Sequence, residues 1–302
     1  MAEGAVLGLS DSVDQQILQA VVQGDVQELA ILLRNFGKDP SSIIGKKGRT
    51  PLHFGCLNGN AACVTLLLTI VQTVDSEDAK HKTPLALAAK RGFNKVIELL
   101  LARGANLNTR DENGNTPIHQ ASYHGQKATV ELLVKHGAQP NVPNDIESAP
   151  LHFAAMCGHH GVCEALIQAG ADVNMKNKNA TTPLHLAARN GYVECCKACP
   201  PFRPKKLHYA DVNSVDPYNQ IPLHLAARTG HYDCLQVMLE DGAEVNAQDM
   251  EGNTPFDWAD DYGHGECAVL LWRRGAQIKT QTGKQTMQWR RPWGGRERPT
   301  MR

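Results

Sequence analysis

Residues 182–206 read TPLHLAARNGYVECCKACPPFRPKK, and the stretch changes character halfway along. Thr182 is a good N-cap residue, because a threonine hydroxyl accepts a hydrogen bond from the first unpaired N–H groups of a helix. Pro183 suits the first helical position, where its fixed φ is already helical and its missing N–H would have no partner. Leu184 and the Ala187-Ala188 pair form a small, closely packing face, and Gly191 lets the chain reverse. After Cys195, Cys196 and Cys199, however, the chain turns to prolines and lysines before a second helix could finish. The stretch is either a cysteine metal site or a structural unit broken by an insertion.

The first half recurs as TPLHFGC, TPLALAA, TPIHQAS, APLHFAA, IPLHLAA and TPFDWAD. The prolines are Pro51, Pro84, Pro117, Pro150, Pro183, Pro222 and Pro255, with steps of 33, 33, 33, 33, 39 and 33 residues. A glycine follows each proline by 8 residues: Gly59, Gly92, Gly125, Gly158, Gly191, Gly230 and Gly263. A second apolar run with helical spacing comes next, such as VIELLLARG at 96–104, and then a polar turn such as DENGN at 111–115. Each unit therefore reads as helix, turn, helix and β-turn finger. Alone it cannot bury its apolar face, so neighbouring units must stack.

This period and the TPLH phrase resemble the ankyrin repeat family. The resemblance implies an all-α fold, an ankyrin-repeat solenoid of stacked helix-turn-helix units with β-turn fingers. It covers residues 14–278, between an N-terminal tail at 1–13 and a basic, disordered tail at 279–302. An upstream segment at 17–35, ILQAVVQGDVQELAILLRN, carries the alanine, glycine and leucine pattern without TPLH and reads as an N-terminal cap. In the last unit Asp257 replaces the histidine and Arg273-Arg274 follow, as suits a C-terminal cap.

Composition agrees. Aromatic residues make up only 5 % of the chain, too few for a deep-cored enzyme but enough for small helices packed through Ala, Leu, Val and Cys. The longest apolar stretch, CVTLLLTIV at 63–71, is too short to span a bilayer, and the N-terminus lacks the basic start of a signal peptide. The cysteines are odd in number, nine, and read as reduced thiols in a cytoplasmic or nuclear protein. The balanced charge hides an asymmetry: seven Lys/Arg from Lys279 onward face Glu297 alone, leaving residues 1–278 acidic by six charges.

The chemistry-bearing residues have structural readings. His53, His119, His152, His185 and His224 occupy the TPLH slot, where the family resemblance implies that the imidazole ties the capping threonine to neighbouring turns. Cys63, Cys163, Cys195, Cys196, Cys234 and Cys267 fall in second-helix slots that hold Val or Ile elsewhere, and a thiol packs there as a small apolar group. Cys196-x-x-Cys199 with His208 is short of the four ligands of structural zinc, and no metal or cofactor is expected. GKKGRT at 45–50 lacks Walker spacing, no nucleophile elbow or HExxH appears, and no catalytic residue is assigned.

The 39-residue step is then an insertion of six residues. Pro200 and Pro201 end the helix, and residues 200–206 are expected to bulge out and interrupt stacking locally. Pro201 to Lys206 also fits a PxxPx+ ligand of SH3-type grooves. The tail, with Trp289 and Trp293 among arginines, is the only place where nucleic acid contact is expected.

The side chains flanking each repeat glycine face the docking surface that such scaffolds use, the concave side. There Arg91, Phe93, Tyr123, His124, His159, Arg189, Tyr192 and His231 are the candidate partner-binding residues, and Phe93, Tyr123 and Tyr192 have no packing reason to be large. Asn108 and Asn174 lie eight residues after Leu100 and Leu166, and with Asn213 and Asn246 they resemble the asparaginyl hydroxylation target of ankyrin repeats. The expected function is a monomeric, non-enzymatic adaptor or scaffold for a protein partner. The alternative is a regulatory or substrate-targeting subunit of a larger enzyme or ubiquitin-ligase assembly.

Overall fold

A computed structural model describes residues 12–37, 39–198 and 210–277. The insertion at 200–206 with its SH3-type motif, Cys199, His208 and the basic tail at 279–302 lie outside the described residues. Among the described residues every regular element is helical. The α-helices come in pairs: α1 (Val13–Gln23) and α2 (Val26–Phe36), α3 (Pro51–Asn58) and α4 (Ala61–Leu68), α5 (Pro84–Arg91) and α6 (Asn94–Ala102), α7 (Pro117–Tyr123) and α8 (Lys127–Lys135), α9 (Pro150–Cys157) and α10 (His160–Gln168). They continue as α11 (Pro183–Asn190) and α12 (Val193–Ala198), α13 (Pro222–Thr229) and α14 (Tyr232–Glu240), α15 (Pro255–Asp261) and α16 (Gly265–Arg273).

Two compact units are present, divided between Pro183 and Leu184. In the first, α1, α3, α5, α7 and α9 stack in succession, and α2, α4, α6, α8 and α10 form a second layer behind them. In the second, α13 packs on α15, and α12, α14 and α16 stack in order. The core repeats with the sequence. Leu52, Leu85, Ile118 and Leu151, one per first helix, are buried, and so are the Ala88-Ala89 and Ala154-Ala155 pairs. Burying a leucine or isoleucine side chain is worth about 1.5–3 kcal/mol, so repetition of one residue accumulates a core that no single unit possesses. All six cysteines in second-helix slots are buried there, as their small apolar character requires.

The TPLH histidines join the repeats. His53 Nδ1 accepts from the Thr50 N–H at 3.1 Å and lies 2.9 Å from the Thr50 hydroxyl. A ring nitrogen that accepts a backbone N–H carries no proton, so the hydroxyl donates to it and the other nitrogen bears the hydrogen. That nitrogen, Nε2, donates to the Lys82 carbonyl at 3.0 Å, 29 positions ahead. His119 repeats the arrangement with Thr116 and the Ser148 carbonyl. His152 and His224 do so with Ala149 and Ile221, which lack a hydroxyl, and reach the carbonyls of Thr181 and Asn253. The Thr50 and Thr116 hydroxyls thus donate to the ring of the following histidine. Where that histidine is replaced, Thr83 Oγ1 accepts from the Ala86 N–H and Thr254 Oγ1 from the Asp257 N–H. Asp257 closes its own cap by accepting from the Thr254 N–H at 2.8 Å.

The fingers are built by a second recurrent residue. Asp78, Asp111, Asn144, Asn177, Asp216 and Asp249 each accept from the backbone N–H groups two and four residues on. The turn so formed puts one residue in the left-handed region, which Gly114 and Gly252 adopt freely but Ala180, at φ 50°, does not. Successive fingers bond through the backbone, for example Glu112 N–H to the Lys80 carbonyl and Asp145 N–H to that of Asn113.

His185 reports how the insertion is handled. Its Nε2 meets the Gln220 carbonyl at 3.1 Å across 35 positions, which is the usual 29 plus the six inserted residues. On either side of the insertion α12 packs on α14.

Burial lowers the pKa of His53, His152 and His224 and brings His119 down to about 4. An unfolded chain protonates these rings near their ordinary value of 6.5, before the folded chain does. Between the two values the unfolded state binds more protons, so stability is complete above pH 6.5 and falls as the pH drops. His119 alone should cost roughly 2 kcal/mol by about pH 5, where carboxylates still titrate little. Thermal melts should shift down by several degrees between pH 7 and 5; a flat profile would contradict the account of the bridge.

Candidate functional site

In the first unit the surface is laid out by the ends of α5, α7 and α9. Arg91 ends α5 and is exposed. Tyr123 ends α7 and is 43 % exposed, its ring edge-on to His124 (4.9 Å between centroids) and to Phe153 (5.9 Å) on α9. Phe153 also meets the buried His119 ring edge-on at 5.7 Å. Between these side chains lies a cleft of about 300 Å³, walled by Lys82, Lys90, Gln120, Tyr123, His124 and Phe153.

The acid beneath this cleft is Asp111. One oxygen accepts from the Asn113 and Asn115 N–H groups; the other accepts from Gln120 Nε2 at 2.7 Å and lies 3.5 Å from Lys82 Nζ. With its side chain only 1 % exposed, it serves the finger rather than solvent. His124 is held down to a pKa of about 4, first by burial and then by the cations Lys90, Lys82 and Arg91.

Phe93, for which the sequence offered no packing reason, has one, and His159 shares it. The Phe93 ring lies over Gly59, with atoms 2.8 Å from where a Cβ would stand. His159 covers Gly125 in the same way, and its Nε2 donates to the Tyr123 carbonyl at 3.1 Å. In these repeats the residue after the glycine therefore covers the bare backbone of the preceding repeat. Both remain partly exposed.

In the second unit Arg189 is exposed and Tyr192 is 38 % exposed, while the His231 ring lies over Gly191. Farther along, the Arg228 guanidinium sits over Trp258 (5.0 Å) and Tyr262 (5.3 Å), which are themselves stacked at 5.5 Å. Trp258 Nε1 donates to Asp249 Oδ2 at 2.9 Å, in the same slots that Gln120 and Asp111 fill in the first unit.

Asn108 and Asn174 are exposed, with their N–H groups donating to Asn106 and Asp172 side chains. Asn213 and Asn246 instead bridge repeats. Each side chain donates to a glycine carbonyl 29 positions on and accepts an N–H 31 positions on.

Lys82, Gln120, Phe153 and Trp258 were missed from sequence. The signal was present: Gln120, Phe153 and Trp258 fill the variable position after TPLH, and Lys82 immediately precedes the capping threonine. Among the described residues no group of three His, Cys, Asp or Glu side chains could hold a metal ion, and no helix is long and apolar enough to cross a membrane.

Sequence profiles described as ankyrin repeats (many copies) match residues 17–68, and profiles described as ankyrin repeats (3 copies) match 69–144, 140–199 and 202–282. The chain belongs to the ankyrin-repeat family. No curated protein matches it. Ankyrin repeats are in general protein–protein interaction modules.

Directly behind Tyr123, the Ser122 hydroxyl is buried without a hydrogen-bond partner, in a slot that holds Ala89, Ala155, Ala188 or Ala227 elsewhere. An unsatisfied buried hydroxyl costs about 1–3 kcal/mol. Ser122→Ala should therefore stabilise the protein by about 1 kcal/mol in denaturant titrations. A loss of similar size would show that the hydroxyl has a partner after all.

Proposed function

We propose that this chain is a non-enzymatic adaptor or scaffold that docks a protein partner on the glycine-flanking ends of its first helices. Arg91, Phe93, Tyr123, His124 and His159 would contribute in the first unit and Arg189, Tyr192 and His231 in the second. The observation that carries the reading is Tyr123. It packs edge-on against two rings yet leaves 43 % of its surface in solvent, beside a preformed cleft. Tyrosine buries both apolar area and a polar handle at low entropy cost, and arginine is likewise enriched at binding hot spots.

Affinity capture with mass spectrometry supplies a partner, and a purified binding assay then tests the surface. Truncating an exposed tyrosine should change stability by no more than roughly 0.5 kcal/mol. Truncating an interface anchor should cost about 2 kcal/mol or more of binding. Tyr123→Ala combined with Tyr192→Ala is expected to melt as the parent does and to bind at least about tenfold more weakly. Intact binding in that variant, together with loss on removing residues 279–302, would transfer recognition to the basic tail.

A further inference from the structure

We infer that the cleft beside Tyr123 takes an acidic peptide, with a carboxylate side chain between Lys82, Lys90 and Arg91 and an apolar side chain against Tyr123 and Phe153. The inference rests on the docking reading above and adds the chemistry of the occupant.

Charge is the first reason. Residues 1–278 are acidic by six charges, so a cationic cleft runs against the background. Lys82 and Lys90 line it and Arg91 follows at the end of α5. The acid beneath them, Asp111, is enclosed and saturated by two backbone N–H groups, Gln120 and Lys82. Lys90, Lys82 and Arg91 also lie close enough to the half-buried His124 to disfavour its charged form. A carboxylate entering here would find a positive field in a partly desolvated place, where an ion–ion contact is worth more than in bulk water.

The second reason is Lys82 itself, which already lies 3.5 Å from a carboxylate oxygen of Asp111. The third reason is the adjoining apolar wall. Tyr123 and Phe153 stand edge to face and leave Tyr123 exposed, so an acidic segment with an aromatic or aliphatic side chain is held at two points.

Fluorescence anisotropy on the full chain tests this with three labelled probes: a peptide of alternating Glu and Asp around one central Trp, its Gln/Asn counterpart, and a phosphoserine version lacking carboxylates. The carboxylate peptide should bind best, and more weakly as salt rises. Lys90→Gln with Arg91→Gln should weaken it about tenfold or more without shifting the melting curve, and Tyr123→Ala should weaken it separately. Binding of the carboxylate peptide that ignores both variants would place it on the basic tail and overturn the inference. A preference for the phosphoserine peptide, lost in the lysine–arginine variant, would also overturn it. If the neutral peptide binds as tightly and only Tyr123→Ala weakens it, the docking face stands and the acidic occupant is wrong. If no probe responds to Tyr123→Ala, the docking face in this unit fails with it.

Discussion

A neutral imidazole with one nitrogen turned inward and the other outward is the constraint on which this structure depends. The inward nitrogen closes the cap of its own first helix, and the outward N–H reaches a finger carbonyl of the following repeat. One side chain therefore satisfies two backbone groups that would otherwise be buried without partners, each at a cost of about 1–3 kcal/mol. Because it spans a fixed structural distance, it sets the register between units independently of the loop that joins them. The 35-position bridge from His185 shows this, since six additional residues change the count and leave the bond in place. Where no histidine is present, at Ala86 and Asp257, the cap is closed by the threonine hydroxyl or by a carboxylate.

Much of this was legible in the sequence because a repeat is a pattern tested several times over. Threonine, proline, leucine, histidine and glycine at fixed offsets specify helix start, core, bridge and reversal, and the cysteines in valine slots follow from the same register. What was not legible was contact between neighbouring repeats. That Phe93 and His159 cover glycines of the preceding unit requires knowing that a residue and a glycine 34 positions earlier face one another. Without that, the size of Phe93 looked unconstrained. That the Thr50 and Thr116 hydroxyls donate to a histidine ring likewise depends on its tautomer, which the residue order alone does not display. Lys82, Gln120 and Phe153 were overlooked because the cleft they wall combines a finger and three helices from three repeats.

The same rigidity explains how a surface of this kind becomes specific. The fingers are locked by Asx acceptors and by backbone bonds to one another, and the helix ends are sealed by the residues over the glycines. Side chains such as Arg91, Tyr123 and His124 are therefore presented from fixed backbone, and their identity is left to the partner rather than to the core. The cations around the first unit's cleft compete with no exposed acid from its floor, because Asp111 is committed to the finger. Fold stability and recognition are thus carried by different positions of one short phrase.

The most direct measurement of the central claim is the nitrogen spectrum of the histidine rings. Long-range proton–nitrogen correlation spectra near pH 7 should show His53, His119, His152 and His224 as neutral rings with the proton on Nε2. On acidification His119 should hold that form until about pH 4. Rings that are charged at neutral pH, or that carry the proton on Nδ1, would mean that the cap and the bridge are not made by the same imidazole, and the account would fail.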